Sequence, residues 1–410
     1  MQSRLKPLSA GEDGKYIPPM NPDEILTRTA VLRRTASVLR ETGYASTQSI
    51  PSLRRPKWKM ILELHRLFHL PDRTGYCFEP TAMPDFLADR FLRGKERLKT
   101  AYRLFFLNRP VPGPGCESLL GKDLLNELLE AGIAVSENDR ILSTVRFVPW
   151  RNFLFLSDPD EGARRGTDFY VYLGGDSTLL TDFVHRRLEG GFKARRALDL
   201  CAGTSIQSYN MLDRSESITA AELNPRAVAY AEASRHINDI GSIEIIQSDL
   251  YENVQGSFDV IIANPPYVPM PTESVSARNM DAFGGGELGL DIPLRIMEGL
   301  GSRLNNGGYS AVLAGSPIIQ GRDILRENLL PIAEKHGLSI ILHAWKYTNL
   351  KLDLALQREK GISHFMYCVI ESRKTGRASV KTVHQPFFKR FPQLLASGME
   401  RLIFGLSVRS

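Results

Sequence analysis

Asp199, Glu222 and Asp249 each stand at or near the end of an apolar run, where carboxylates can serve a ligand rather than the core. Asp199 lies late in Ala197-Leu-Asp-Leu-Cys201, which opens into Ala202-Gly203-Thr204-Ser205. Gly203 lets the backbone approach a ligand closely, and Asp199 can accept hydrogen bonds from the loop and so orient it. Glu222 closes the next run roughly twenty residues on, the spacing at which an acid takes both hydroxyls of a ribose. In Ser248-Asp249-Leu250, Asp249 can accept from an exocyclic amine such as that of adenine. Cys201, Ala202, Leu223 and Leu250 flank these acids and complete the candidate cofactor shell. Any one of the acids could simply cap a loop, but three strand ends in series argue against that for the set. A GxGxxG fingerprint is absent, which weighs against a dinucleotide. The four cysteines (Cys77, Cys116, Cys201, Cys368) form no CxxC pair and the histidines show no ligand spacing, so no metal site or disulfide framework is expected and a reducing cytoplasm fits.

The fourth run, Asp259–Ala263, leads into Asn264-Pro265-Pro266-Tyr267. This resembles the NPPY motif of class I amino-methyltransferases. Downstream, Gly285-Gly-Glu-Leu-Gly-Leu-Asp291 is similar to the GG-x-D-G-L-D stretch of the HemK-like protein-glutamine methyltransferases, with Leu288 where that family has an acid. The resemblance runs from about Asp176 to Ile370, half the chain. It implies S-adenosyl-L-methionine held by Asp199, Gly203, Glu222 and Asp249, and an acceptor site at Asn264, Pro265, Pro266 and Tyr267. The chemistry is coherent, because a planar nitrogen has a delocalised lone pair and attacks poorly. Accepting hydrogen bonds from its N–H groups, at the Asn264 side-chain oxygen and the Pro265 carbonyl, would localise that pair toward the sulfonium methyl. The prolines hold the carbonyl rigidly, Tyr267 can stack on a planar acceptor, and alignment supplies much of the rate. Asp176 and Ser177 lie where related enzymes pass a segment across the methionine end of the cofactor; capping of a helix Thr178–Arg187 is the equal alternative. The stretch Val268–Gly286 reads as a lid over the acceptor.

Elements must carry these residues. Strand-like runs at Ala197–Cys201, Ile218–Leu223, Ile243–Ser248, Val260–Ala263, Tyr309–Ala314, Ser339–Trp345 and Phe365–Ile370 alternate with helices. Most are continuously apolar, as in strands covered on both faces. The expected fold is α/β, a Rossmann-like seven-stranded methyltransferase sheet with an antiparallel hairpin at its edge. Asn224 and Pro225 suit the N-cap and first turn of a helix through Ala227–Ile240.

Upstream, helical stretches are expected at Pro22–Thr42 and Pro56–His69, then around Phe86–Leu92, Leu98–Phe106, Leu119–Leu120 and Leu124–Leu129. Runs Ile133–Val135 and Ile141–Phe147 read as a hairpin turned at Glu137-Asn138-Asp139. Helices followed by a hairpin give a mainly helical, winged-helix-like N-terminal domain. The resulting division is a basic helical extension (1–75), a winged-helix-like accessory domain (76–165), the methyltransferase domain (166–372) and a basic tail (373–410). The net charge of +6 gathers in Arg28–Lys59 and Arg373–Arg390, and Phe387, Phe388 and Phe391 read as a docking anchor for the tail. Such clusters can follow a phosphate backbone, yet Asp123, Glu127 and Glu130 make the proposed recognition helix acidic. The accessory domain is therefore read as substrate-shaping or dimerising, with a homodimer through the N-terminal region as one expectation. The expected acceptor is a planar amide, guanidine or amine nitrogen of a small molecule or protein side chain. Methylation of nucleic-acid bases is the rival, and a non-catalytic cofactor-binding regulator is disfavoured by the intact Asn264–Tyr267. No run is long enough to span a membrane.

Overall fold

The computed structural model describes residues 20–49, 92–159, 171, 173–188, 190–269, 284–348 and 354–384. The expected helix Pro56–His69, most of the Phe86–Leu92 helix and of the lid, the cluster Arg54–Lys59 and the tail aromatics lie outside the described residues. Among the described residues no helix is long and apolar enough to cross a membrane.

Helix α1 (Pro22–Thr27) opens on a capping box: Asn21 Oδ1 accepts from Glu24 N, and the Glu24 carboxylate accepts from Asn21 N, each at 2.8 Å. Helix α2 (Thr29–Glu41) buries Leu32, Thr35, Ala36 and Leu39 along one face. Next come α3 (Glu96–Ala101), continued by a π-helical turn at Tyr102–Phe106, β1 (Val111–Pro112), α4 (Gly113–Leu120), α5 (Lys122–Glu130), β2 (Ala134–Glu137) and β3 (Arg140–Ser143). Asn138 and Asp139 both have positive φ (48° and 59°), as a two-residue hairpin turn requires. The small antiparallel sheet runs β1-β3-β2. Helix–strand–helix–helix–hairpin with this order is the winged-helix arrangement. Its third helix, α5, lies against α2, whose Arg34 pairs with Glu127 at 2.5 Å.

The run Ile141–Phe147 is not one strand. The chain bends after Ser143, whose hydroxyl donates to the Val145 carbonyl (2.7 Å), and Phe147 joins a second hairpin. That hairpin is β4 (Arg146–Trp150) with β5 (Phe153–Ser157), turned by Arg151 and Asn152 at positive φ.

The remainder alternates as expected: α6 (Gly175–Arg187), β6 (Ala194–Leu200), α7 (Ile206–Tyr209), β7 (Ser215–Glu222), α8 (Pro225–Ile237), β8 (Ile243–Gln247), β9 (Phe258–Ala263), α9 (Asp291–Arg303), β10 (Leu304–Ile319), β11 (Arg322–Asp323), α10 (Ile324–His336), β12 (Leu338–Thr348), α11 (Leu354–Glu359), β13 (Ile362–Lys374) and β14 (Ser379–His384). The main sheet runs β14-β12-β13-β10-β9-β6-β7-β8, with β11 folded back on β10. All of its long pairings are parallel except those of β13, which lies antiparallel between β10 and β12. The seven expected strands are present, in the doubly wound order. Two corrections follow: β11 and β14 enlarge the sheet, and residues 379–384, read as tail, form its outer strand beside β12.

Both sheet faces are apolar because side chains alternate. Ala197, Ile218, Val260, Ile262 and Ala311 pack on one face beneath Leu180 and Val184 of α6. Leu198, Leu200, Ile261, Ala263 and Val312 pack on the other against Ile296, Leu300, Leu325 and Leu329 of α9 and α10. Helix α8 shares a core with α1, α2 and the winged-helix elements through Ala229, Tyr230, Ala233 and Ile237.

Candidate active site

The strand registers bring the candidate residues together. Leu200 pairs with Ala221 and with Ala263, so β6, β7 and β9 end level, and Cys201 and Asn264 leave the sheet side by side. Glu222 pairs with Gln247, which sets Ser248 and Asp249 beside it. Strands β6 and β9 flank the point where the strand order reverses, the place at which open α/β sheets bind ligands.

After β6 the chain turns tightly, with Cys201, Gly203 and Ser205 at φ of 51°, 54° and 64°. Asp199 is 2% exposed. Its Oδ2 accepts from Ser208 N (2.9 Å) and Ser208 Oγ (2.8 Å), which stakes the turn to α7. Burial pushes its carboxyl up to about 8; the Ser208 hydrogen bonds oppose this, and nearby Glu222 adds to it. Glu222 accepts from Gly203 N (2.7 Å) and Asn224 N (2.9 Å), tying the first loop to the start of α8. Asn224 caps that helix as expected, its Oδ1 accepting from Arg226 N at 2.9 Å. Asp249 pairs with Arg295 of α9 at 3.0 Å. Leu223 is 46% exposed beside Glu222, whereas Ala202 and Leu250 are buried. Burial holds the Cys201 thiol well above its ordinary range, so it is a neutral packing group.

Asn264 donates from Nδ2 to Ser177 Oγ at 3.1 Å. Ser177 and its neighbour Asp176 sit in the first turn of α6, which begins at Gly175, three residues earlier than expected. Asp176 Oδ1 accepts from Ser177 N (2.8 Å); burial raises its carboxyl despite this bond. Asn264 Oδ1 is buried without a hydrogen-bond partner among the described residues, as are Asp199 Oδ1 and Thr204 Oγ1. Orphaned buried oxygens are rare in folded proteins and call for an explanation. Three of them around one strand reversal fit a polar ligand that can both donate and accept.

Tyr267 is placed differently from expectation. It is 5% exposed, and its ring meets Tyr367 edge-on at 5.6 Å within the core of the sheet face. It therefore lies in the wall of the site, packed on Tyr367. Gly285 N donates to the Val268 carbonyl at 3.0 Å and Asp291 N to the Gly285 carbonyl at 3.0 Å, so residues 284–291 strap the segment after Pro266. A Cβ on Gly289 would collide with the Tyr267 carbonyl, and one on Gly285 would meet the Gly289 backbone at 2.8 Å. The glycine pattern is thus a packing requirement of Asn264–Tyr267. Ser208, Gln207, Arg295 and Tyr367 escaped sequence reasoning. For the first two, the polar run Thr204–Ser208 after a glycine turn was an available signal; for the others there was none.

The methyltransferase small domain family model matches residues 175–279. A Methanocaldococcus jannaschii protein named "Putative protein N5-glutamine methyltransferase" is 30% identical over 166 residues, covering 38% of this chain and 83% of that relative. A ribosomal protein uL3 glutamine methyltransferase of Neisseria gonorrhoeae is 27% identical over 225 residues, covering 50% of this chain and 71% of the relative. A release factor glutamine methyltransferase of Corynebacterium glutamicum is 26% identical over 147 residues, covering 32% and 51%. With this similarity on a doubly wound sheet whose strand ends carry orphaned polar atoms, the chain belongs to the class I S-adenosylmethionine-dependent N-methyltransferases, in their HemK-like branch.

Proposed function

We propose that this chain methylates the side-chain amide nitrogen of a glutamine in a protein. The observation that carries the proposal is Asn264 Oδ1, a buried acceptor with no hydrogen-bond partner among the described residues at the end of β9. An acceptor amide offers two N–H donors; Asn264 Oδ1 takes one, and the Pro265 carbonyl is read as taking the other. Losing both to fixed acceptors localises the nitrogen lone pair and aims it. S-adenosylmethionine supplies an electrophilic methyl group carried on a sulfonium. Glu222, Asp249 and Leu223 are read as holding its ribose, adenine amine and ring, and Asp199 with Gly203 as shaping the loop around it. The methylated nitrogen sheds one N–H proton to solvent, for which its own acidity suffices, so no strong base is required and the residues act by orientation. Relatives named for glutamine methylation favour an amide over a guanidine or amine. The acidic α5, partly covered by α2, speaks against groove-reading of nucleic acid.

Transfer of labelled methyl from S-adenosylmethionine should be assayed with three acceptor pools: ribosomal proteins with release factors, total RNA with DNA, and metabolites. Label is expected in the protein pool, on glutamine; label confined to RNA, DNA or metabolites rejects the proposal. Asn264→Ala should lower kcat about 10²-fold, a loss of ~2.7 kcal/mol. A variant that works at the wild-type rate removes the acceptor geometry.

A further inference from the structure

Asp249 follows β8 by two residues, in a turn that the rest of the structure holds against its own preference. Leu250 beside it has φ +48°, a left-handed conformation that a bulky side chain rarely adopts. Such strain persists only where the surroundings impose it. Ser248, 3% exposed, donates from Oγ to the Leu250 carbonyl (3.0 Å) and accepts at Oγ from Asn253 N (2.9 Å). Asn253 Nδ2 donates to the Gln247 carbonyl at 2.9 Å.

Helix α9 clasps the same turn from outside. Tyr251 Oη donates to the Ile296 carbonyl (2.9 Å), and Arg303 Nη2 donates to the Tyr251 carbonyl (3.3 Å). Gly299 leaves room for the Tyr251 ring, which a Cβ at that position would overlap. These contacts fix where the Asp249 side chain starts, but not where its carboxylate points. That is settled by Arg295, the residue before Ile296, whose Nη2 donates to Asp249 Oδ2 at 3.0 Å.

We propose that Arg295 is a positioning residue for the cofactor: through Asp249 it aims the carboxylate that receives the adenine amine, and so sets the preference for an amino-bearing base. The inference rests on the reading of Asp249 given above. A guanidinium only donates, so it takes one carboxylate oxygen and leaves Oδ1 for a ligand N–H. Its own place is secured, because α9 is already locked to the turn. The side chains of Arg295 and Asp249 are 49% and 32% exposed, a setting in which an ion pair adds little to folding. Direction, and not stability, is what the pair supplies.

The test is calorimetric binding to the full chain of two probes, S-adenosylhomocysteine and its 6-deamino analogue, in which purine replaces adenine. Wild type should prefer the amino form about tenfold, as expected for a hydrogen bond to a charged acceptor. Arg295→Met keeps the apolar stem and removes the donors. It should bind S-adenosylhomocysteine about fivefold more weakly and the deamino analogue within about 1.5-fold of wild type. Added to Asp249→Ala, it should cause no further loss, because Arg295 acts through Asp249. Equal losses for the two probes, which damage to α9 would give, overturn the proposal, as do unchanged affinities or additive losses. Should the preference vanish in Asp249→Ala yet stay whole in Arg295→Met, the adenine reading stands and the role of Arg295 falls. Should wild type bind the two probes alike, the adenine reading itself fails and takes the inference with it.

Discussion

Asp199 is buried, with one carboxyl oxygen accepting twice from Ser208 and the other bare. Its carboxyl, pushed up to about 8, lies far above the ordinary value of roughly 4. The folded protein therefore keeps a proton that the unfolded chain gives up. The stabilisation is complete below about pH 4 and is lost as pH rises through about 8. Thermal melts without cofactor should show wild-type stability declining across that window relative to Asp199→Asn, which has no proton to release. Parallel pH curves for the two would remove the assignment. At this scale the sequence was most legible: Asp199, Glu222, Asn224 and Asn264 stand where expected. What it hid was occupancy. Both Glu222 oxygens already accept backbone N–H groups, and Asp249 already pairs with Arg295, an arginine without a spacing rule to flag it.

The strap of residues 284–291 shows how one element disciplines another. Gly289 has φ +74°, and a side chain there would strike the Tyr267 carbonyl. Gly289→Ala should cost about 2 kcal/mol in urea unfolding and reduce kcat by displacing Asn264–Tyr267. Gly307→Ala separates strain from collision, since φ is +77° but nothing lies within 4 Å; its cost should be about 1 kcal/mol, with kcat intact. Equal effects from the two would mean that the strap has no contact to lose. Element boundaries were read well where apolar runs were long and poorly where turns were short. The bend at Thr144-Val145 carries neither glycine nor proline, so β3 and β4 looked like one strand. Strand β14 looked like tail because Ser379–His384 is polar, as suits an outer strand with one edge open.

Across the whole molecule, the winged-helix elements and the catalytic sheet meet at α8. Asp158, just past β5, pairs with Arg226 and accepts from Tyr230 (2.9 Å) and Val171 N (2.8 Å). The ion pair is 4% exposed on each side. Asn238 adds hydrogen bonds to Leu154 N (3.0 Å) and Leu154 O (2.7 Å). Asp158→Ala strands a buried guanidinium and should cost about 3–5 kcal/mol, while Asp158→Leu with Arg226→Met should recover most of it. Calorimetric melts decide this; a single-variant loss under about 1 kcal/mol would show that the junction does not depend on the pair.

The sequence by itself determined which residues close each strand and that the strands alternate with helices, because apolar runs, capping residues and glycine turns act within a few residues along the chain. It also carried Asn264-Pro-Pro-Tyr267 and the later glycine stretch, although not the reason the two belong together. Only the tertiary structure decided that the glycines make room for the Tyr267 carbonyl, that Tyr267 turns inward, and that Ser177 meets Asn264 from 87 residues away. Contacts between distant segments follow from strand register and helix packing, which no local pattern encodes. The unpaired oxygen on which the proposed chemistry depends is such a product: an ordinary asparagine in sequence, made an acceptor by what surrounds it.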